Sequence, residues 1–140
     1  MEMQRARKSD TSSHMSIRVY ALEPALLDAG GYCDFVRIPA YLGDRVLAEL
    51  ADECGAVIRD PYAHLLYWLI RPGAADDWTF PGEAHVRILG KGSSVLVPPV
   101  HCERSAAVFW VRPVVGGRVL TRSKRLHAVM RAVIGEAVPQ

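Results

Sequence analysis

The feature that most constrains this chain is one continuous apolar run, Leu65-Leu66-Tyr67-Trp68-Leu69-Ile70. A membrane span needs about 20 such residues, so the run is far too short to be one. It has no regular polar face of the kind an amphipathic helix or a half-exposed strand would show. It reads as most of a strand over 64–70 that is buried on both faces.

Around this strand the hydrophobic pattern changes period several times. The segment 23–30 reads as a short helix, with Pro24 at its first position and Gly30 as its stop. A short strand is expected at 35–38, ended by Pro39. Gly43-Asp44 then opens a helix whose face carries Val46, Leu47, Leu50, Ala51 and Cys54, and Gly55 supplies a left-handed stop. Strands follow at 56–59, 64–70, 85–89, 94–97 and 107–112, with a loop over 71–83 that has one helical turn at 74–78. A short edge strand is expected at 115–120. Thr121 is placed to cap the last helix, where Leu126, Val129, Met130, Val133 and Ile134 form an apolar stripe. The expected fold is α+β: a mixed, largely antiparallel sheet of about 5–6 strands covered by two main helices, with the strands paired mostly with their neighbours in sequence. Residues 1–14 read as a vector-derived or disordered leader, and 15–140 as a single domain.

Composition narrows the function classes. A net charge of +2 does not by itself imply nucleic acid. The widely spaced Cys33, Cys54 and Cys102 form neither a C-x-x-C motif nor an even framework, so reduced thiols in a cytoplasm are expected. Gly90-Lys91-Gly92 lacks the spacing and the following helix of a phosphate loop, and reads as a turn between strands. His101-Cys102 cannot chelate together, because adjacent residues on an extended chain point to opposite faces. Neither metal nor cofactor is expected. The start of the last helix is different. Arg118, Arg122, Lys124 and Arg125 crowd an end where cations oppose the helix dipole, so the group reads either as a solvated basic face or as an anion site.

Three segments carry a resemblance: "AHLLYWL" (63–69), "ILGKGSSVLVPPVH" (88–101) and "VFWVRP" (108–113). They resemble the C-terminal half of the prim-pol domain of bifunctional DNA primase/polymerases, the archaeo-eukaryotic primase-type module of plasmids and phages. Residues 32–113 also resemble small actinobacterial proteins with a reduced version of that module. The resemblance implies a nucleotide-binding histidine at His64, although Tyr62 stands where the family has a small residue. It also implies an Asp-x-Asp or Asp-x-Glu pair on an upstream strand and a third acid before the glycine turn. Cys33-Asp34-Phe35-Val36-Arg37 offers one acid, and Arg87 stands at the third position. Two divalent cations would have no bed there, so the resemblance implies a scaffold without its metal chemistry and with no catalytic residue.

The expected function is therefore that of a non-catalytic, cytoplasmic binding or regulatory domain. Nucleotide or anion contacts are assigned to His64, Arg87, Lys91, His101, Arg122, Lys124 and Arg125. The partner is expected to be a nucleic acid or nucleotide, or a protein, and no membrane is expected. Two alternatives stand beside this reading. One is an enzyme with residual nucleotidyl transfer or with Cys102 as nucleophile and His85 or His64 as base. The other is a homo-oligomeric interaction module.

Overall fold

The computed structural model describes residues 19–137, so the leader expected at 1–14 lies outside the described residues. The strands are Ala25–Asp28 (β1), Asp34–Pro39 (β2), Val57–Asp60 (β3), Leu65–Ile70 (β4), Arg87–Leu89 (β5), Ser94–Val97 (β6) and Phe109–Arg112 (β7). The α-helices lying wholly within the described residues are Ala40–Leu50 (α1) and Ser123–Ala137 (α2). A five-stranded sheet has the order β5-β2-β4-β3-β7, and β1 pairs with β6 in a separate two-stranded sheet. Every ladder is antiparallel. The class is α+β, and no strand pair makes it mixed among the described residues.

The apolar run 65–70 is the middle strand, which explains its pattern. Leu66, Trp68 and Ile70 face the helices and join Val36, Ile38, Leu42, Val46, Leu126 and Met130 in one core cluster. Leu69 and Tyr67 point the other way. Leu69 packs with Phe35, Ile58, Trp110, Leu27, Val95 and Val97 in a second cluster under the two-stranded sheet. Both helices lie on one face of the large sheet, and β1–β6 covers the other. All five stripe residues of α2 are buried. Each such side chain contributes roughly 1.5–3 kcal/mol relative to an exposed one. No helix among the described residues is long and apolar enough to cross a membrane.

Several local expectations are corrected. Residues 23–30 hold no helix: Ala25–Asp28 is β1, paired with Ser94–Val97. Proline and glycine bracket a short strand as well as a short helix, and so few residues cannot hold a helix by propensity alone. The helix expected to open at Gly43-Asp44 starts at Ala40, directly after β2. Gly43 sits inside it because a Cβ there would lie 2.5 Å from Leu66 Cδ1, so the glycine lets α1 approach β4. The helix stops at Leu50, and the left-handed residue is Ala51 (φ 47°), not Gly55.

Gly55 has another role. A Cβ on it would lie 2.7 Å from the Val119 carbonyl oxygen. Its N–H donates to Thr121 Oγ1 at 2.8 Å. Thr121 therefore accepts from a distant backbone amide instead of capping α2, while the Arg122 carbonyl accepts the first bond of that helix, from Leu126 N–H. No strand forms at 115–120. That stretch is a strap, held by Ala56 N–H to Val119 O at 3.0 Å and Thr121 N–H to Leu69 O at 2.9 Å. The strands beside Gly90–Gly92 do not pair with each other either: β5 joins the large sheet and β6 the small one. Two strands pairing with distant partners overturn the expectation of mostly local pairing.

Candidate functional site

The sheet register places two arginines opposite one another. Arg37 on β2 pairs with Arg87 on β5, and on its other side with Tyr67 on β4. All three share the face that carries Phe35 and Leu69, because strand residues alternate between faces. On this face β1–β6 covers only part of the sheet. The uncovered part is a cleft of about 380 Å³ between the row Arg87–Arg37–Tyr67 and Ser93 with the adjoining β6 residues Ser94, Val95 and Leu96. Leu89 and Val108 give it apolar walls, and Asp60 closes one end.

The electrostatics of this cleft are unbalanced. Like charges directly opposite on neighbouring strands destabilise a sheet by roughly 0.2–1 kcal/mol. Arg37 Nε is buried and finds no acceptor among the described residues. An unsatisfied buried donor costs about 1–3 kcal/mol. Asp60, the carboxylate lining the cleft, makes no ion pair with either arginine. Its Oδ1 instead accepts the N–H groups of Tyr62 and Ala63, each at 3.1 Å, which fixes the turn before β4. Two arginines and a tyrosine thus line a cleft in which neither arginine has an ion-pair partner among the described residues. Planar guanidinium forks match the oxygens of phosphate or carboxylate, which they bind bidentately.

The seven residues expected to bind an anion are not brought together. Arg87 lines the cleft, whereas His64, Lys91 and His101 do not. His64 is exposed, adopts a left-handed conformation (φ 58°), and gives its carbonyl to Ala40 N–H at 2.8 Å. Lys91 lies in the turn, with its backbone against Gly30. His101 is exposed beyond Pro98-Pro99. Arg122 and Lys124 line a separate pocket of about 390 Å³ with Arg71 and Ser123 at the start of α2. Arg125 is not free for a ligand there, since its Nε donates to Glu53 Oε1 at 2.9 Å.

Arg37, Tyr67 and Asp60 escape a reading of the sequence alone. One signal for Arg37 was present: it is the charged residue among core positions in "FVRI". Its partner across the sheet depends on register with a strand fifty residues away, which no local pattern encodes.

The single acid of the Cys33–Arg37 segment does not enter the cleft. Asp34 is buried and alternates with Phe35 and Arg37, so it lies toward the helices. Its Oδ2 accepts Gly73 N–H at 2.8 Å, and its Oδ1 has no donor among the described residues. No group of three or more His, Cys, Asp or Glu among the described residues is placed to hold a metal ion. The three cysteines are unpaired. Burial, with the Asp34 carboxylate adding, pushes the Cys33 thiol up to about 12. Burial also raises the Cys54 thiol, although Trp68, Arg112 and Thr121 partly oppose it. The Cys102 thiol is directed at the carbonyls of Arg104 and Val108, at 3.7 and 3.9 Å. Compared with known proteins, the chain matches no family model, no curated protein and no solved structure.

Proposed function

We propose that this chain is a non-catalytic binding domain, a reduced prim-pol-like scaffold that holds a phosphorylated ligand and serves a regulatory role. The observation that carries the reading is the opposed pair Arg37 and Arg87, with Tyr67 beside it, in a cleft where Arg37 Nε lacks an acceptor. Arg87 stands where the resemblance leads one to look for a metal-binding acid. Asp34, the other acid the resemblance points to, lies on the opposite face of the sheet from Arg37. Both facts support an anion site in place of a cation site. Cys102 adds no support for an enzyme, because its thiol meets two backbone carbonyls.

Isothermal titration with inorganic phosphate and pyrophosphate at low salt tests the reading. Binding is expected to weaken by tenfold or more in Arg37→Met and in Arg87→Met, about the loss of one charged hydrogen bond. It is expected to persist in the double variant Arg122→Ala/Lys124→Ala. Binding that is absent from the native protein, or that survives both cleft variants, overturns the reading. Loss of binding only in the Arg122→Ala/Lys124→Ala variant moves the site to the start of α2.

A further inference from the structure

We infer that the cleft selects a small phosphomonoester that carries its own hydroxyl or amino donors, such as a sugar phosphate or a nucleoside monophosphate, over a phosphodiester strand. The inference rests on the phosphate-binding reading of the same cleft and adds the rest of the ligand. The two arginines make one end of the cleft cationic, and Asp60 makes the other end acidic.

The register fixes the separation of the two ends. Arg37 is level with Tyr67 and Ile58, and Asp60 is level with Leu65 and Pro39. Asp60 is thus two strands across and two residues along from Arg37. With strands about 4.8 Å apart and a rise of about 3.3 Å per residue, the Cα atoms stand roughly 12 Å apart. Both residues line the cleft across that separation, which is on the scale of a small sugar phosphate.

The chemistry of the two ends is complementary to one kind of molecule. A phosphomonoester is close to a dianion at neutral pH and matches two guanidinium groups, whereas a diester offers a single negative charge. Asp60 Oδ1 is occupied by two backbone amides, while Oδ2 has no donor among the described residues and can accept from a ligand hydroxyl or amine. A strand running along the cleft would instead carry further phosphates toward this carboxylate. A volume of about 380 Å³ is near the lower end of the roughly 300–1,000 Å³ of small-molecule sites.

Titration of the full chain with four probes tests this: inorganic phosphate, glycerol phosphate, adenosine monophosphate and a short oligothymidylate lacking a terminal phosphate. Glycerol phosphate and adenosine monophosphate are expected to bind about tenfold more tightly than inorganic phosphate, about the contribution of one hydrogen bond to a charged acceptor. Asp60→Asn keeps an acceptor for the turn amides, and circular dichroism verifies that it folds. It is expected to erase that margin. Arg87→Met is expected to weaken all of the monoesters. If the two esters bind no better than phosphate, or the margin survives Asp60→Asn, this inference fails while the phosphate site stands. Tighter binding of the oligothymidylate than of adenosine monophosphate assigns the cleft to a strand. If no probe binds the native protein, the phosphate reading fails as well.

Discussion

Replacing Gly55 by alanine tests whether the 119–121 strap is clamped as the geometry shows. The added Cβ would lie 2.7 Å from Val119 O, and 3.0 Å from both Leu120 C and Thr121 N. All three atoms are backbone, so no rotamer change relieves the contact. Ordinary contact begins at 3.4 Å, so the strap must retreat by roughly 0.7 Å, enough to take a good hydrogen bond to the edge of its range. Two bonds cross this gap: Gly55 N–H to Thr121 Oγ1 at 2.8 Å and Ala56 N–H to Val119 O at 3.0 Å. Stretching both costs about 2 kcal/mol. Overpacking adds about 1–3 kcal/mol, and the stiffer unfolded chain returns about 0.4–1 kcal/mol. The net loss is about 3 kcal/mol, a large share of a stability of about 5–15 kcal/mol.

Urea unfolding followed by tryptophan fluorescence reads this loss, since Trp68 and Trp110 are both buried. The midpoint falls at unchanged slope if only stability changes, and thermal unfolding falls by about 10 °C. Gly117→Ala is the control, because a Cβ there meets nothing within 4 Å. A Gly55→Ala protein within about 1 kcal/mol of native, or a Gly117→Ala protein that falls as far, refutes the clamp.

Three further outcomes follow. Met130→Ala, at a fully buried position between the helices and the sheet, is expected to cost about 2–5 kcal/mol in the same unfolding assay. A disulfide reagent on the native protein at pH 8 is expected to label Cys102 well before Cys54, and Cys33 only at the rate of unfolding. The folded pKa of Cys33 is raised from 9.0 to about 12. Its contribution to stability is therefore complete below pH 9 and is lost as pH climbs from there toward 12. Stability that stays flat across that window in the native protein, or that falls equally in Cys33→Ala, counts against the shift.

The parts of the fold legible in the sequence are those where many residues repeat one signal. Five apolar positions of α2 agree on one face, and six residues of β4 agree on burial. β1 was not legible, because Pro24 and Gly30 punctuate a four-residue strand and a one-turn helix alike. Thr121 looked like a cap because its neighbours begin a helix, and only the tertiary approach of Gly55 gives its hydroxyl a different partner. The same limit governs the cleft. Arg87 stood out through a resemblance, and Arg122 and Lys124 through crowding at a helix start. The pairing of Arg87 with Arg37 exists only in the register of β2 and β5.

The separate sheets of β5 and β6 have a kinetic consequence. β1 comes before the whole five-stranded sheet in the chain, and the β6 that pairs with it comes after most of that sheet. Closing that ladder means closing a loop that contains β2 through β5, and such long loops are entropically slow to close. The four residue pairs of β1–β6 therefore carry a higher loop-closure cost than the β3–β4 hairpin, which the buried Leu27, Val95 and Val97 offset by packing on the large sheet. Ser94, Val95 and Leu96 belong to this ladder, while Arg37, Tyr67 and Arg87 belong to the five-stranded sheet. The cleft therefore lies where a ladder closed over a long loop meets the sheet whose register aligns the two arginines.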